Sequence, residues 1–171
     1  MAEALRVILL VALAIAALTT AALILAWWME PARRMRRVLT KSLGVAPEAE
    51  ALSPAEGRAA GLDYDGAQVA VLWNRGARGL VYDYEEIDGG EIIVDGHVVA
   101  RVRRGEARKS LDISAPDAEQ VVLRLMFADA RHSEFELALW DATLPVQTGS
   151  PGEALRLGRR WLSHLEALLK G

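Results

Sequence analysis

Hydrophobic and polar positions follow three different patterns along this chain. Val7 to Trp28 is a run of 22 positions without a charge, which as a helix covers the roughly 30 Å of bilayer hydrocarbon. Between Ala67 and Asp141 apolar and polar residues alternate in short runs, which predicts half-buried antiparallel strands. From Ala154 to Leu169 apolar residues recur at helical spacing, which predicts an amphipathic C-terminal helix.

The clearest local signal in the strand region is a hairpin. Glu91–Val94 and His97–Arg104 flank the dipeptide Asp95-Gly96, which supplies the two positive φ angles of a type I′ turn. The same alternation predicts two more hairpins, whose strands are Ala67–Trp73 with Gly79–Tyr84 and Glu119–Asp129 with Ser133–Asp141. In the last of these, one face is apolar: Val121, Leu123, Leu125, Phe127, Phe135, Leu137 and Leu139.

Two helices are predicted outside the apolar run. For the C-terminal helix, Ser150 is the expected N-cap, Pro151 the first position and Glu153 the capping-box partner. Its apolar stripe consists of Ala154, Gly158, Trp161, Leu162, Leu165, Leu168 and Leu169, and the strands are the available surface on which to bury it. By the same capping logic a short helix is predicted from Pro54 to Ala60, with Ser53 as N-cap.

The apolar run favours an uncleaved transmembrane anchor within residues 1–30. A cleaved secretory signal and a buried helix are the alternatives, but the run is long for a signal peptide and ends in Trp27 and Trp28, which suit an interfacial aromatic anchor. The cations just after the run are Arg33, Arg34, Arg36, Arg37 and Lys41. Because such cations stay on the cytoplasmic side, we expect a single-pass protein of a bacterial inner membrane with a cytoplasmic C-terminal domain.

Charge divides the chain at about the same place. Residues 1–44 carry six Lys/Arg and two Asp/Glu, and residues 45–171 carry 14 and 21, so the balances are +4 and −7 and sum to −3. The acidic domain argues against a nucleic-acid partner. Residues 31–61 join the two parts as a basic collar and an Ala/Glu/Pro-rich segment, either a semi-flexible spacer or a helix packed on the domain at 62–171.

The strand region resembles a known family. In small bacterial proteins with pleckstrin-homology-like domains, an aromatic strand leads into a hairpin with a spaced Ile, Glu and Asp-Gly, and here those places are held by Tyr84, Ile87, Glu91, Asp95 and Gly96. Val121–Asp141 is similar to a later hairpin of those proteins, with Ser133 where they often have Pro. The resemblance implies a non-catalytic binding or scaffolding module.

The expected fold class is therefore α+β. An N-terminal transmembrane helix precedes a pleckstrin-homology-like, mainly antiparallel sheet or barrel of about six or seven strands, capped by the C-terminal amphipathic helix.

The acidic stretch Tyr82–Val98 is the strongest candidate for chemistry, and its pattern argues against it. As a calcium loop that starts at Asp83, it has Ile87 at the fifth position and Asp88 at the sixth, where a ligand and Gly are required. As an acid/base pair, its carboxylates fall on different strand faces and turns. The three histidines are far apart in sequence, and cysteine is absent. We therefore expect no enzyme, no metal and no cofactor.

A basic run follows the hairpin, and it has two interpretations. Its cations are Arg101, Arg103, Arg104, Arg108 and Lys109. Together with the cations at 33–41 they are candidates for contacts with anionic headgroups, since cations pair with phosphate oxygens. Alternatively, they neutralise the acidic hairpin across neighbouring strands.

The function expected from the sequence is protein interaction or the organisation of a membrane complex. Anionic-lipid sensing is the alternative, and an accessory subunit of a membrane enzyme complex is a lesser one. The expected partners are the lipid bilayer and an unidentified protein, with no nucleic acid and no small-molecule substrate.

Overall fold

The computed structural model describes residues 2–28, 30–144 and 149–170. Within the first helix, α1 (Ala2–Trp28), side chains are described at residues 3, 6 and 9–24. The described side chains from Leu9 to Ile24 are exposed, and the hydroxyls of Thr19 and Thr20 donate to the carbonyls four residues earlier, at 2.8 Å each.

One part of the predicted fold class requires correction. Among the residues that the structure describes, no helix is long and apolar enough to cross a membrane. The predicted transmembrane helix within residues 1–30, and with it the predicted single-pass inner-membrane localisation with a cytoplasmic domain, is wrong on this finding.

A second helix, α2 (Pro31–Leu43), packs on the first sheet. Pro31 stands at its start, where the missing N–H costs nothing, and Gly44 ends it with a φ of 80°. Met35, Leu39 and Leu43 are buried along one side. They form a small core with Ala59, Ala70 and Leu72 of the sheet.

The first sheet, sheet A, is a four-stranded antiparallel meander in the order β1-β2-β3-β4. Its strands are β1 (Ala49–Ser53), β2 (Arg58–Asp63), β3 (Gln68–Trp73) and β4 (Arg78–Asp83). One face packs on α2 and the other joins the main core. The middle residues of β2 and β3 are therefore buried in unbroken runs rather than in alternation.

The second sheet, sheet B, is antiparallel with the order β7-β6-β5-β8-β9. Its strands are β5 (Ile87–Val94), β6 (His97–Arg103), β7 (Lys109–Ser110), β8 (Gln120–Phe127) and β9 (Glu134–Asp141). The predicted hairpin turn is confirmed, since Asp95 and Gly96 join β5 to β6 with φ angles of 47° and 80°.

Helix α3 (Pro151–Lys170) covers the inner face of sheet B. The predicted packing is confirmed, because Trp161, Leu162 and Leu165 share one core with Leu123, Leu125, Leu137 and Leu139. The helix lies close to β5 because Gly90 has no side chain. A Cβ there would lie 2.8 Å from Cδ2 of Leu165.

The turn between β1 and β2 connects the two sheets by hydrogen bonds. Glu56 Oε2 accepts from the backbone N–H of Ala138 at 2.9 Å, and Arg58 Nη1 donates to the carbonyl of Glu136 at 2.7 Å. Both backbone partners belong to β9. The short helix predicted from Pro54 to Ala60 is wrong, because this segment is a turn followed by the start of β2.

The structure is thus a mixed α+β fold with two antiparallel sheets and a C-terminal helix. The predicted α+β class agrees with this fold at that level of detail. The described residues form nine strands in two sheets rather than six or seven strands in one barrel. Residues 31–61 contain α2, β1 and the beginning of β2.

Candidate functional site

The structure gives most carboxylates of the acidic stretch local roles at turns. Asp83 and Glu86 cap the short 3-10 turn Tyr84–Glu86 reciprocally, and Asp83 N donates to Glu86 Oε2 at 3.0 Å. Asp95 Oδ1 accepts from the N–H groups of Glu119 and Gln120 at 3.0 and 2.8 Å, so it ties the hairpin turn to the start of β8. Across the residues that the structure describes, no three His, Cys, Asp or Glu side chains are grouped as metal ligands.

Glu91 is the one carboxylate of this stretch that is buried, with 7% of its side chain exposed. It lies on the outer face of sheet B, between Arg101 of β6 and Arg124 of β8, which are its cross-strand neighbours. Arg124 Nη1 is 3.4 Å from Glu91 Oε2, and Arg103 Nη2 is 3.9 Å from Oε1. Arg124 also binds Glu136 at 2.6 Å, and this hydrogen bond raises the pKa of the guanidinium.

The basic run at 101–109 is bound within the domain. Arg101 contacts Glu106 at 3.4 Å, and Lys109 lies 4.0 Å from the same carboxylate. Arg104 donates to the carbonyls of Tyr84 and Ile87 and lies over the Tyr84 ring. Arg108 donates to Ser163 at 2.9 Å. The arginines therefore connect β6 and the following loop to the turn before β5 and to α3.

The cations at 33–41 lie on α2. Arg33 pairs with Glu30 and Arg36 with Glu50, each at 2.7 Å, while Arg34, Arg37 and Lys41 are exposed. The side chains of Trp27 and Trp28, the predicted interface anchor, lie outside the described residues.

A cavity of about 380 Å³ lies at the end of sheet B. Its charged lining is mixed, with Arg103 and Arg104 facing Asp88, Glu106 and Glu134. Both arginines already have partners in the fold, so the described lining of this cavity offers no unpaired cation.

A larger cleft, of about 650 Å³, lies where the start of β4 faces the turn between β8 and β9. We call it the β4 cleft. It is lined by Trp73, Asn74, Ala77, Arg78, Gly79, Leu80 and His132. Among these described lining residues there is one arginine and no carboxylate.

Two of the residues that line the β4 cleft, Trp73 and His132, carry aromatic rings. Trp73 meets Phe135 edge-on with ring centres 5.2 Å apart, and the His132 ring lies 5.9 Å from Trp73. Tyr82 of β4 also stacks on Phe127 of β8, with ring centres 3.8 Å apart. These contacts fix the β8–β9 turn against β3 and β4, so the cleft has a defined shape before any ligand arrives.

Tyr82 anchors the same turn through its hydroxyl, which donates to Asp129 Oδ2 at 3.3 Å. Burial, followed by the nearby Asp129 carboxylate, raises the pKa of Tyr82 to about 12. Asp129 also accepts from the backbone N–H of Arg131, which lowers the pKa of its carboxyl.

The shifted pKa of Tyr82 predicts a loss of stability in alkali. An unfolded tyrosine ionises near 10, so this contribution is complete below pH 10 and is lost as pH rises toward about 12, by at most about 1.4 kcal/mol per pH unit. Urea unfolding between pH 9 and 12 measures it. Tyr82→Phe is expected to have a shallower decline, and an equally steep decline in that variant would contradict the assignment.

Strand β4 is an edge of sheet A, because among the described strands it pairs only with β3. The N–H of Asp83 donates to Glu86 rather than to β3. Since backbone groups of an antiparallel strand alternate in direction, the N–H and C=O groups of Val81 and Gly79 point away from β3 as well. They form a row of backbone donors and acceptors beside the β4 cleft.

The sequence pattern does not predict this site. It makes residues 74–78 the connection between two predicted strands and places the histidines far apart in sequence, and nothing in the local pattern brings residues 73 and 132 together. The available signal was the pair of aromatic strand residues Trp73 and Phe135 near the ends of their strands. Comparison with family models, curated proteins and solved structures finds no match to this chain.

Proposed function

We propose that this protein is a non-catalytic protein-interaction module, which binds an extended segment of a partner protein as an added strand along β4. The observation that carries this proposal is the outer edge of β4, which no described strand covers, beside the β4 cleft. Strand addition takes its affinity from main-chain hydrogen bonds and its specificity from pockets for alternate side chains.

Several features of β4 suit a strand partner. Exposed strand edges are commonly blocked by Pro, by inward-pointing charge or by a covering element, and β4 has no Pro. Gly79 is exposed and without a side chain, which permits close backbone approach. Val81 is exposed by 38%, so a partner that covers it gains apolar burial.

The proposal is tested by removing one outward N–H. The chain of 171 residues is used to select binders from displayed random peptides of about ten residues. It is kept in a mild non-ionic detergent because α1 exposes apolar side chains. Val81→Pro deletes the outward N–H without breaking a bond to β3, and we expect it to weaken the selected peptides by about tenfold or more. Val81→Ala, which keeps the N–H, is the matched control and is expected to bind nearly as well as the parent.

Folding of Val81→Pro is checked by circular dichroism and thermal unfolding. If this variant does not fold, methylation of single backbone nitrogens in the selected peptide provides a second measurement. Strand addition predicts that methylation abolishes binding at every second residue. If no peptide is selected, if Val81→Pro binds as well as Val81→Ala, or if methylation has no alternating effect, the proposed function is wrong.

A further inference from the structure

Side chains on β4 alternate between the two faces of sheet A. Arg78, Leu80 and Tyr82 are the register partners of Trp73, Val71 and Val69. These β3 residues belong to or pack against the main core, so this series of β4 faces the side on which the β4 cleft opens. Gly79 and Val81 pair with Leu72 and Ala70 and face the side of α2.

An added strand continues the pleat of the sheet. The two side chains of the partner strand that lie beside Arg78 and Leu80 therefore point into the β4 cleft. They belong to partner residues that are two positions apart. The Leu80 position, next to the Trp73 ring, is apolar. The Arg78 position is cationic and exposed.

The charge around the cleft is opposite to that of the domain. Residues 45–171 have a balance of −7, yet Arg78 lines the cleft. Two more arginines, Arg75 and Arg131, are the chain neighbours of the lining residues Asn74 and His132. Within the described part of the chain, none of these three guanidinium groups has a hydrogen bond or ion pair.

The nearby carboxylates do not neutralise these arginines. Asp129 is bound to Tyr82, to His132 and to the backbone of Arg131. Asp83 accepts from the side chain of Gln68 at 2.8 Å. Among the described residues of 45–171, Arg160 on α3 is the one other cation without a hydrogen bond or ion pair, so three of the four unpaired guanidinium groups lie on the cleft or next to it. In an acidic domain this grouping repels acidic ligands in general but attracts a carboxylate at that place.

We infer that the partner segment is acidic: it places an Asp or Glu side chain against Arg78 and an apolar side chain, two residues away, against Leu80 and Trp73. This inference rests on the proposed function, since it requires strand addition at β4. The carboxylate gains charge-assisted hydrogen bonds from a guanidinium that has no competing partner.

Peptides selected as above provide the test. We expect the selected peptides to be enriched in Asp or Glu two residues from an apolar residue. A Glu→Lys exchange in such a peptide is expected to lower its affinity about tenfold at low salt. This factor is expected to fall as salt is added, because salt screens the charges. In the protein, Arg78→Glu is expected to lower the affinity for the acidic peptide by a similar factor. The same substitution is expected to raise the affinity for the peptide that carries the Glu→Lys exchange. Arg160→Glu, the same charge change on the exposed side of α3, is the control and is expected to change neither.

The outcomes separate the inference from the proposed function. The selected peptides could bind the Val81→Pro protein weakly, show no preference for acidic residues, and bind the Arg78→Glu and parent proteins equally. In that case the inferred acidic partner segment is wrong, and strand addition at β4 stands. If binding is indifferent to both Val81→Pro and backbone methylation, strand addition is wrong and the inference falls with it. An acidic preference that Arg160→Glu reduces as much as Arg78→Glu would reflect overall charge, and it would also overturn the inference.

Discussion

Replacing Trp161 by alanine is expected to lower the free energy of unfolding by about 4 kcal/mol, because it leaves a large cavity between α3 and sheet B. Trp161 is 1% exposed and is the largest of the fully buried side chains. Urea unfolding followed by circular dichroism measures the effect. The matched control is Arg160→Ala, one residue earlier on the exposed side of α3, for which we expect a change within about 0.5 kcal/mol.

A second substitution at the same position separates volume from polarity. No described residue accepts a hydrogen bond from the indole N–H of Trp161, and an unpaired buried donor has a cost of its own. Trp161→Phe removes that donor together with part of the volume, so we expect a smaller loss than for alanine. A loss under about 1 kcal/mol for Trp161→Ala would show that α3 does not hold the core as described.

Replacing Arg124 by leucine is expected to lower the free energy of unfolding by about 2 kcal/mol, because it leaves the Glu91 carboxylate without its nearest cation. The remaining cation, Arg103, is 3.9 Å away and 43% exposed. This loss is smaller than the usual cost of breaking a fully buried ion pair, since 29% of the Arg124 side chain is exposed.

The double variant Glu91→Gln with Arg124→Leu tests the cause. Removing the negative charge as well is expected to recover most of the stability lost in Arg124→Leu, which gives a coupling energy of about 1 to 2 kcal/mol in a double-mutant cycle. Arg101→Leu is a useful comparison, because Arg101 is a cross-strand neighbour of Glu91 but bonds to Glu106. Equal and additive effects of all the substitutions would contradict a buried ion pair centred on Glu91.

Elements with strong local signals were predictable from the sequence. The Asp95-Gly96 turn and the β8–β9 hairpin follow from turn chemistry and alternation, and both are present. Helix α3 begins as predicted, with Ser150 N donating to Glu153 Oε2 at 3.0 Å and Glu153 N to Ser150 Oγ at 3.3 Å.

The same four-residue motif failed at the other place where it occurs. Ser53-Pro54-Ala55-Glu56 matches the capping motif at Ser150–Glu153, but it is followed by Gly57, with a φ of 69°, and by no apolar stripe at helical spacing. Without a face to bury, a helix there has little to stabilise it. Glu56 instead caps a backbone N–H of β9. Capping residues permit a helix, and packing decides whether one forms.

The β4 cleft could not be predicted because it depends on long-range pairing. Local alternation identifies β4 as a strand, but only the pairing of the remaining strands leaves it at an edge. The approach of His132 to Trp73 likewise requires both sheets to be in place. Sequence patterns of one chain carry little information on which strands become neighbours across such distances.

The position of α2 has a further consequence for how the protein opens. It covers sheet A through a small core that is separate from the one under α3. Because local opening costs less where few apolar contacts are lost, we expect α2 to detach while both sheets and α3 stay folded. Detachment uncovers Ala70 and Leu72 of β3, whose neighbour β4 is the strand proposed to receive the partner. We therefore expect slow amide exchange in β2, β3, β5 and β8, and faster exchange in α2 as a separate, less protected unit.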